Sequence, residues 1–419
     1  MMSGGERTSG GELAQAVQTA AKEQRPALWT RDFALYFVGR AVSILGDAML
    51  PVAVSLGVLG AGYGPTGVGF VLAAWMAPLG TLILFGGVFA DRFTARRMMI
   101  GADLVRIVTQ SGIAISFLTG TPSLLLLIGL SALSGAAAAM FQPGVGSMVP
   151  QISADVQRAN ATLRVADAIA QLFGPALSGV LVVFGGAGVV YAVNAGTFAV
   201  SAVCILSLRV RPAASIAAGS SMLRNLREGW DEFRSRTWMW AVILVWAVYG
   251  VVVFGPLVPL GASLVTEDLG RSAYGWMMSA VGAGTILGGM IAMYVRPARP
   301  LATGAVVMTA FFLEPLVVAT RMPAGVMAAG FALAGSAWAF WSVMWATSIQ
   351  TKVAPDVLNR VTAYEVGGSV LSMPIGQALS GPVSERVGAD HVLLFGFGVG
   401  LAGIAVLLSV PAIRNLRRA

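Results

Sequence analysis

Residues Gly86–Ile100 read G-G-V-F-A-D-R-F-T-A-R-R-M-M-I. This stretch sets four charged side chains in a short polar break between two long apolar runs, Gly67–Ala90 and Met98–Gly120. Each run is long enough to cross a hydrocarbon core of about 30 Å, which takes about 20 helical residues. A charged turn between two such spans cannot lie in lipid. Its excess of arginine predicts that it faces the cytoplasm.

The composition also indicates a membrane protein. Hydrophobic residues make up 57% of the chain and charged residues 11%, whereas a soluble domain is about 25% charged. The formal charge of +8 would suggest a nucleic-acid partner in a soluble protein. Here the basic residues fall mainly on alternate connections between apolar runs, where positive charge marks the cytoplasmic side. We therefore expect a lipid bilayer, and no nucleic acid, as a partner.

Long apolar runs predict an all-α membrane protein with 12 transmembrane helices in two pseudo-symmetric six-helix bundles. The arginine distribution predicts a multi-pass protein of the cytoplasmic (inner) membrane, with both termini in the cytoplasm. The expected segments are a cytoplasmic N-terminal tail at 1–32, the first bundle at 33–208, a cytoplasmic linker with an amphipathic helix at 209–237, the second bundle at 238–410 and a cytoplasmic tail at 411–419.

An internal repeat supports the two bundles. Residues 174–179 in the fifth run read G-P-A-L-S-G, and residues 376–381 in the eleventh read G-Q-A-L-S-G, at an offset of 202 residues. Homologous halves of this kind place a substrate site near the middle of the membrane, between them.

Charged residues inside the first span are candidates for the chemistry, because a charge at the membrane centre is costly and is retained mainly for function or pairing. Arg40 and Asp47 are seven residues apart and share one helix face with Ser43 between them. We interpret Asp47 as a protonatable acid or cation counter-ion and Arg40 as its modulator or an anion contact. The alternative is a structural pair that neutralises itself.

Two further sites carry ionisable side chains within spans. Asp103 and Arg106 are three residues apart near the cytoplasmic end of the third span, where they can pair with each other or reach the charged loop at Asp91. Glu314 precedes Pro315 in the ninth span, where the proline kinks the helix. Glu314 is a candidate second proton site, and a buried structural acid is the equal alternative.

The opening stretch resembles the signature loop of the major facilitator superfamily, G-x-x-x-D-R-x-G-R-R. Gly87, Asp91, Arg92, Arg96 and Arg97 fall on the pattern, while Thr94 replaces a glycine and Ala95 an arginine. The resemblance implies alternating access, in which two halves rock about a central site. It also implies a cytoplasmic gate made of this loop together with Asp103 and Arg106. The alternative is that those two residues form a fixed pair.

The fifth run contains Gly174, Pro175, Ser178 and Gly179, which resemble the G-P-x-x-G-G motif of the exporter, or antiporter, branch, with Ser178 in place of a glycine. Gly46-Asp47 resembles the first span of the exporters that include enterobactin exporters and macrolide efflux permeases. These resemblances imply proton antiport that expels a hydrophobic or amphipathic small molecule: a drug, siderophore or secondary metabolite. Close packing alone would equally explain the small residues.

Other side chains are candidates for the substrate cavity. Trp338, Trp341 and Trp345 share one helix face, which suits flat hydrophobic or cationic substrates but also helix packing or lipid contact. The uncharged polar candidates, for which interhelical hydrogen bonding is an equal alternative, are Gln142, Gln171, Asn194 and Gln377.

No catalytic set emerges from the sequence. With one histidine and one cysteine, neither a metal site nor a Ser/His/Asp or Cys/His arrangement can be assembled, so we expect no enzyme activity and no cofactor. No phosphate-binding G-x-x-x-x-G-K-[ST] loop is present, which favours coupling to an ion gradient. We expect a monomer. The alternatives to an exporter are a proton-coupled importer of a metabolite and a transporter-like ligand sensor without turnover.

Overall fold

The structure is a computed structural model that describes residues 28–83, 94–120, 122–209, 230–231, 233–353, 368–369 and 371–417. Within those ranges the regular structure is entirely helical. In chain order the helices are α1 Arg31–Gly60, α2 Gly64–Ile83, α3 Ala95–Leu118, α4 Leu124–Ile152, α5 Val156–Leu206, α6 Thr237–Tyr249, α7 Gly255–Leu269, α8 Arg271–Tyr294, α9 Pro300–Val307, α10 Leu313–Ala319, α11 Ala324–Lys352, α12 Met373–Val387, α13 Ala389–Ser409 and α14 Pro411–Arg414.

Ten helical segments in these ranges are long and apolar enough to cross a membrane, so the predicted all-α membrane fold is confirmed. Large apolar side chains cover the outside of the bundle, among them Phe184 at 86% and Leu125 at 79% exposure, as expected of a surface solvated by lipid tails. The predicted count of twelve spans stays a prediction, because part of the eleventh lies outside the described ranges.

One helix, α5, covers two of the predicted spans. Its 51 residues would measure roughly 77 Å if straight, more than twice the hydrocarbon thickness. Gly186 breaks it with φ 76° and ψ 172°, a backbone conformation open to glycine but not to most residues. Both arms return to α1, since Gly174 packs on Ala48 and Asn194 approaches Gly46.

Two spans of the second half contain non-α turns. A π-helical turn, Gly250–Phe254, joins α6 to α7. A 3₁₀ turn, Met308–Phe312, joins α9 to α10 directly before Glu314. Pro315 has no backbone N–H to donate to the preceding turn, which is consistent with the predicted irregularity there.

The two halves, α1–α5 and α6–α14, meet along two helix pairs. We call the end of the bundle that carries Leu28 and Arg417 the terminal face, and the end with the turns at 61–63 and 388 the opposite face. Thr66 of α2 donates a hydrogen bond to Glu385 of α12 at 2.6 Å between oxygens. Gly179 of α5 approaches Gly275 of α8. These contacts run from the middle of the bundle to the opposite face.

Several predicted features lie outside the described residues. They are the N-terminal tail up to residue 27, most of the linker with its amphipathic helix, and the loop residues Gly87, Asp91 and Arg92. The exact boundaries of tails, linker and bundles therefore stay predictions.

Candidate functional site

A cavity of about 600 Å³ lies between the halves. The first half supplies most of its wall, from α1, α2, α3, α4 and α5, while Val258 of α7 and Met373 and Gln377 of α12 close it from the second half. Its surface is mainly apolar and aromatic, with Trp75 and Tyr191 among the lining residues. Such a hollow suits a small molecule with a hydrophobic body and a few polar groups.

The main polar feature of the wall is an ion pair between α1 and α3. Arg106 Nη2 donates to both carboxylate oxygens of Asp47, at 2.5 and 2.6 Å. The Arg106 side chain is 4% exposed, whereas that of Asp47 is 32% exposed. The guanidinium also lies over the Phe198 ring, 3.7 Å from its centroid, a favourable cation–π geometry. The pair is therefore buried on the arginine side and open to the cavity on the carboxylate side.

Three more charged residues line the cavity closer to the terminal face: Arg40, Arg164 and Asp167. Arg164 Nη1 is 3.9 Å from Asp167 Oδ2, and Arg40 also acts electrostatically on Asp167. The Arg40 guanidinium lies 5.5 Å from the Phe141 ring centroid. Arg40 and Asp47 both line the cavity, as their shared helix face predicts, but Asp47 takes Arg106 as its partner.

Asp103 occupies a separate, enclosed position one turn from Arg106. It is 0% exposed, and neither carboxylate oxygen has a hydrogen-bond partner among the described residues. Ser201, Arg106, Asp47 and Arg40 are close enough to influence its carboxyl group electrostatically. Arg106 thus bonds to Asp47 across two helices, and the local pairing of Asp103 with Arg106 that the sequence left open is not formed as a hydrogen bond.

Glu314 lies in the second half and is buried, at 6% exposure. Its carboxyl group lies close enough to the Tyr274 hydroxyl of α8 to influence it electrostatically. Glu314 is not among the described residues that line the cavity. The two predicted proton sites are therefore apart, Asp47 on the cavity wall and Glu314 inside the second half.

Two described residues of the predicted gate, Arg96 and Arg97, lie at the terminal face. Arg96 donates from Nε to the Ile205 carbonyl at 3.2 Å and from Nη2 to the Leu206 carbonyl at 2.5 Å. These are carbonyls at the C-terminal end of α5, where the chain leaves acceptors unpaired and the helix dipole favours a cation. Arg97 is exposed. Arg96 consequently ties the start of α3 to the end of α5.

The exporter-like motif lies where the halves touch. A Cβ added to Gly174 would be 2.6 Å from Ala48 Cβ, and one added to Gly275 would be 2.9 Å from the Pro175 carbonyl oxygen. Gly179 faces the same helix, α8. Ser178 is fully buried, and its hydroxyl has no partner among the described residues. Small side chains here permit close contact between α5 and both α1 and α8.

The predicted cavity residues divide into two groups. Gln142, Gln171 and Gln377 line the cavity. Asn194 instead packs at Gly46 and accepts a hydrogen bond from Thr197 at 3.0 Å. Ser43 is buried and donates to the Arg40 carbonyl.

The three tryptophans form part of the aromatic core of the second half. Trp341 stacks on Trp246 with 4.7 Å between ring centroids, and Trp345 packs against Trp238. Trp338 packs edge-on against Phe254. Helix packing, one of the alternatives left open, is the role that the structure displays for them.

The pairing of Arg106 with Asp47 and the contribution of α2 to the cavity were not predicted from the sequence. Val71, Leu72, Trp75, Met76 and Leu79 line the cavity from one face of α2. Their spacing is helical, but the helix is apolar on all sides, so hydrophobic periodicity does not mark the inner face. Among the described residues, no group of three or more His, Cys, Asp or Glu is placed to hold a metal ion.

The profile of the Major Facilitator Superfamily matches residues 36–364. The chain therefore belongs to this superfamily of transporters, and the resemblance seen in the signature loop is confirmed.

Its similar sequences include efflux proteins. Enterobactin exporter EntS of Salmonella paratyphi A is 26% identical over 92% of this chain and 94% of its own length. Macrolide efflux protein A of Streptococcus pyogenes is 22% identical over 93% of this chain and 98% of its own length. Multidrug efflux pump Tap of Mycobacterium tuberculosis is 23% identical over 83% of this chain and 85% of its own length. Among solved structures, a mutant form of nucleoside transporter NupG aligns with a TM-score of 0.77 at 14% identity, covering 91% of this chain and 99% of that one. At that identity the likeness shows the fold alone.

Proposed function

We propose that the chain is a secondary active transporter that exports a hydrophobic or amphipathic small molecule in exchange for protons. It works by alternating access, as a monomer in the cytoplasmic membrane with both termini in the cytoplasm. Three similar proteins carry the words efflux or exporter in their names, which supports the outward direction. The arginine distribution supports the orientation.

The Asp47–Arg106 pair carries the proposal. It is an acid on the wall of a largely apolar cavity between two halves, held by an arginine that is itself buried. An ionisable residue at membrane depth is expensive and marks a transport or proton pathway. The one-sided exposure of the pair leaves the carboxylate accessible to both protons and cargo, while the arginine stays fixed.

Antiport follows from competition for this carboxylate. Cargo that places a hydrogen-bond donor or a positive charge on Asp47 needs the ionised acid, whereas a bound proton removes that charge. The two ligands therefore exclude each other, and each half-cycle carries one of them. Trp75 and Tyr191 offer apolar surface to the body of the cargo.

Alternating access has a structural basis in the contacts between halves. The α2–α12 and α5–α8 contacts extend to the opposite face and shut the cavity there. Separating these two pairs would open the cavity to the other side of the membrane. Their small residues allow the helices to meet without interlocking side chains that would resist separation.

Everted membrane vesicles that contain the protein test the proposal. A proton gradient is established by respiration, a fluorescent pH probe reports it, and hydrophobic drugs and siderophores are added in turn. We expect a cargo to dissipate the gradient with the wild-type protein and not with Asp47→Asn. The matched control is Asp231→Asn, which removes an exposed acid that is not among the described residues lining the cavity.

The outcomes separate the alternatives. If Asp47→Asn responds to the cargo as the wild type does, Asp47 does not couple transport to protons and the proposal fails. Cargo that moves in the same direction as protons would instead identify an importer. Binding of cargo without any flux would identify a sensor.

A further inference from the structure

A second pocket lies at the terminal face of the second half. Its volume is about 180 Å³, and it is bounded by the end of α8, the start of α9, the end of α11 and the C-terminal segment. Arg296, Lys352 and Arg417 line it, and among the described residues no acidic side chain does. Three positive charges therefore surround one small hollow.

These three cations are without an acceptor among the residues that the structure describes. Within the described part of the chain, Arg296, Lys352 and Arg417 form neither a hydrogen bond nor an ion pair. In the first half, by contrast, the terminal-face cation Arg96 donates to the carbonyls at the end of α5. Like charges held around one hollow repel one another, and an anion between them would relieve that repulsion.

The surface beside the pocket indicates where the anion comes from. α8 presents a stripe of exposed apolar side chains that leads up to it, with Leu287 at 52%, Met290 at 42% and Met293 at 62% exposure. Met293 itself lines the pocket, and Tyr294 next to it is 83% exposed. A ligand with a phosphate at one end and acyl chains at the other matches both surfaces, whereas a free phosphate matches only the pocket.

We propose that this pocket binds the phosphate of an anionic phospholipid whose acyl chains lie along α8. The site is separate from the cargo cavity, and no described residue lines both. A phosphate diester with one negative charge leaves the pocket net positive. Anionic lipids are therefore preferred to zwitterionic ones, whose ammonium group would be repelled by the same three cations.

Titration of the purified full chain in mild detergent tests this. Its thermal unfolding midpoint is followed as phosphatidylglycerol, phosphatidylcholine or inorganic phosphate is added. We expect a saturable rise with phosphatidylglycerol alone. In the Arg296→Gln/Lys352→Gln/Arg417→Gln variant the apparent affinity should fall about 100-fold, since each basic residue near a lipid surface contributes roughly a factor of five.

The matched control is Arg31→Gln/Arg158→Gln/Arg209→Gln, which removes three arginines from the terminal face of the first half and should retain wild-type affinity. Equal losses in both triple variants would show that only the overall charge of that face matters, and would overturn the site. A midpoint raised equally by phosphatidylcholine, or competition by inorganic phosphate at equal concentration, would overturn the lipid as occupant.

Folding is checked on the same samples, because the lipid-free unfolding midpoint and gel-filtration profile of each variant should match those of the wild type. If the pocket variant fails this check, its three single substitutions are titrated instead, each with an expected loss of roughly fivefold. No loss in any of the three would also overturn the proposal. The readout is binding, so it is independent of whether the chain transports by proton antiport.

Discussion

The Asp47–Arg106 pair joins α1 to α3 through two residues that are 59 positions apart in sequence. Removing one partner leaves the other charge without its counter-ion, and the cost is larger for the buried arginine than for the cavity-exposed acid. We therefore expect Asp47→Asn to destabilise the fold more than Arg106→Gln does. The double variant should be less destabilised than the sum of both, with a coupling of about 1–2 kcal/mol.

Denaturant unfolding of the wild type, the two single variants and the double variant in the same detergent measures this coupling. A matched cycle on Arg164 and Asp167, whose atoms are 3.9 Å apart and more exposed, should give a coupling near zero. Strict additivity at Asp47 and Arg106 would contradict the ion pair.

The same carboxylate should make cargo binding depend on pH. Protonation removes the negative charge that cargo needs on Asp47, so the affinity should fall as pH is lowered, by up to about tenfold per unit where one proton is displaced. In Asp47→Asn the affinity should be weak and constant with pH. Equilibrium binding of a fluorescent cargo, measured at several pH values, gives the affinity of the purified wild type and of Asp47→Asn, with Asp231→Asn as control. An unchanged pH dependence in Asp47→Asn would assign the competing proton to another group, with Glu314 the next to substitute.

The packing of α1 on α5 positions Asp47. A Cβ on the preceding residue, Gly46, would be 2.2 Å from Asn194 Oδ1 and 2.5 Å from Thr197 Oγ1. Gly46→Ala should therefore push the helices apart, cost about 1–3 kcal/mol of unfolding free energy and reduce transport. Gly101→Ala is the control, because a Cβ there meets nothing within 4 Å and alanine favours the helix.

Thermal unfolding and cargo efflux are measured on both variants. Equal stability of Gly46→Ala and Gly101→Ala would mean that α1 and α5 are not in close contact at this depth.

The sequence predicted these helices well and their rotations poorly. Apolar length and charged turns locate α1 and α3 because the bilayer imposes both. Which side of a helix faces the cavity is a different question, since a helix packed among others in lipid is apolar all round. Arg106 was therefore expected to pair with its helical neighbour Asp103 or to reach the charged loop. In the structure it donates hydrogen bonds to Asp47 instead. The stripe at Trp338, Trp341 and Trp345 is, in the structure, part of an aromatic core.

The two copies of the internal repeat make equivalent contacts across the molecule. Gly179, in the first copy, meets Gly275 of α8, and Gly381, in the second, meets Thr66 of α2. The repeat was visible in the sequence as an offset of 202 residues, but its place between the halves was not, because contact between distant helices leaves no local pattern. Equivalent contacts on both sides of the cavity let the halves separate symmetrically.

If those contacts must separate during transport, a covalent bridge across them should stop it. Thr66 and Glu385 are the pair to replace, since their side-chain oxygens are 2.6 Å apart across the halves. In a Cys204→Ser background, which removes the only native cysteine, Thr66→Cys/Glu385→Cys is treated with a short, reducible thiol cross-linker. We expect efflux to fall to background and to return after reduction, while cargo still binds from the terminal face.

A bridge within one half controls for effects of the cross-linking treatment itself. Glu267→Cys/Arg321→Cys joins two segments of the second half, where the side-chain atoms are 3.6 Å apart, and should leave efflux unchanged because that half moves as a unit. Full efflux through the bridged Thr66–Glu385 protein would show that these helices stay together throughout the cycle. The opening would then have to arise from bending within a half, for which the π-helical turn at Gly250–Phe254 is the first place to substitute.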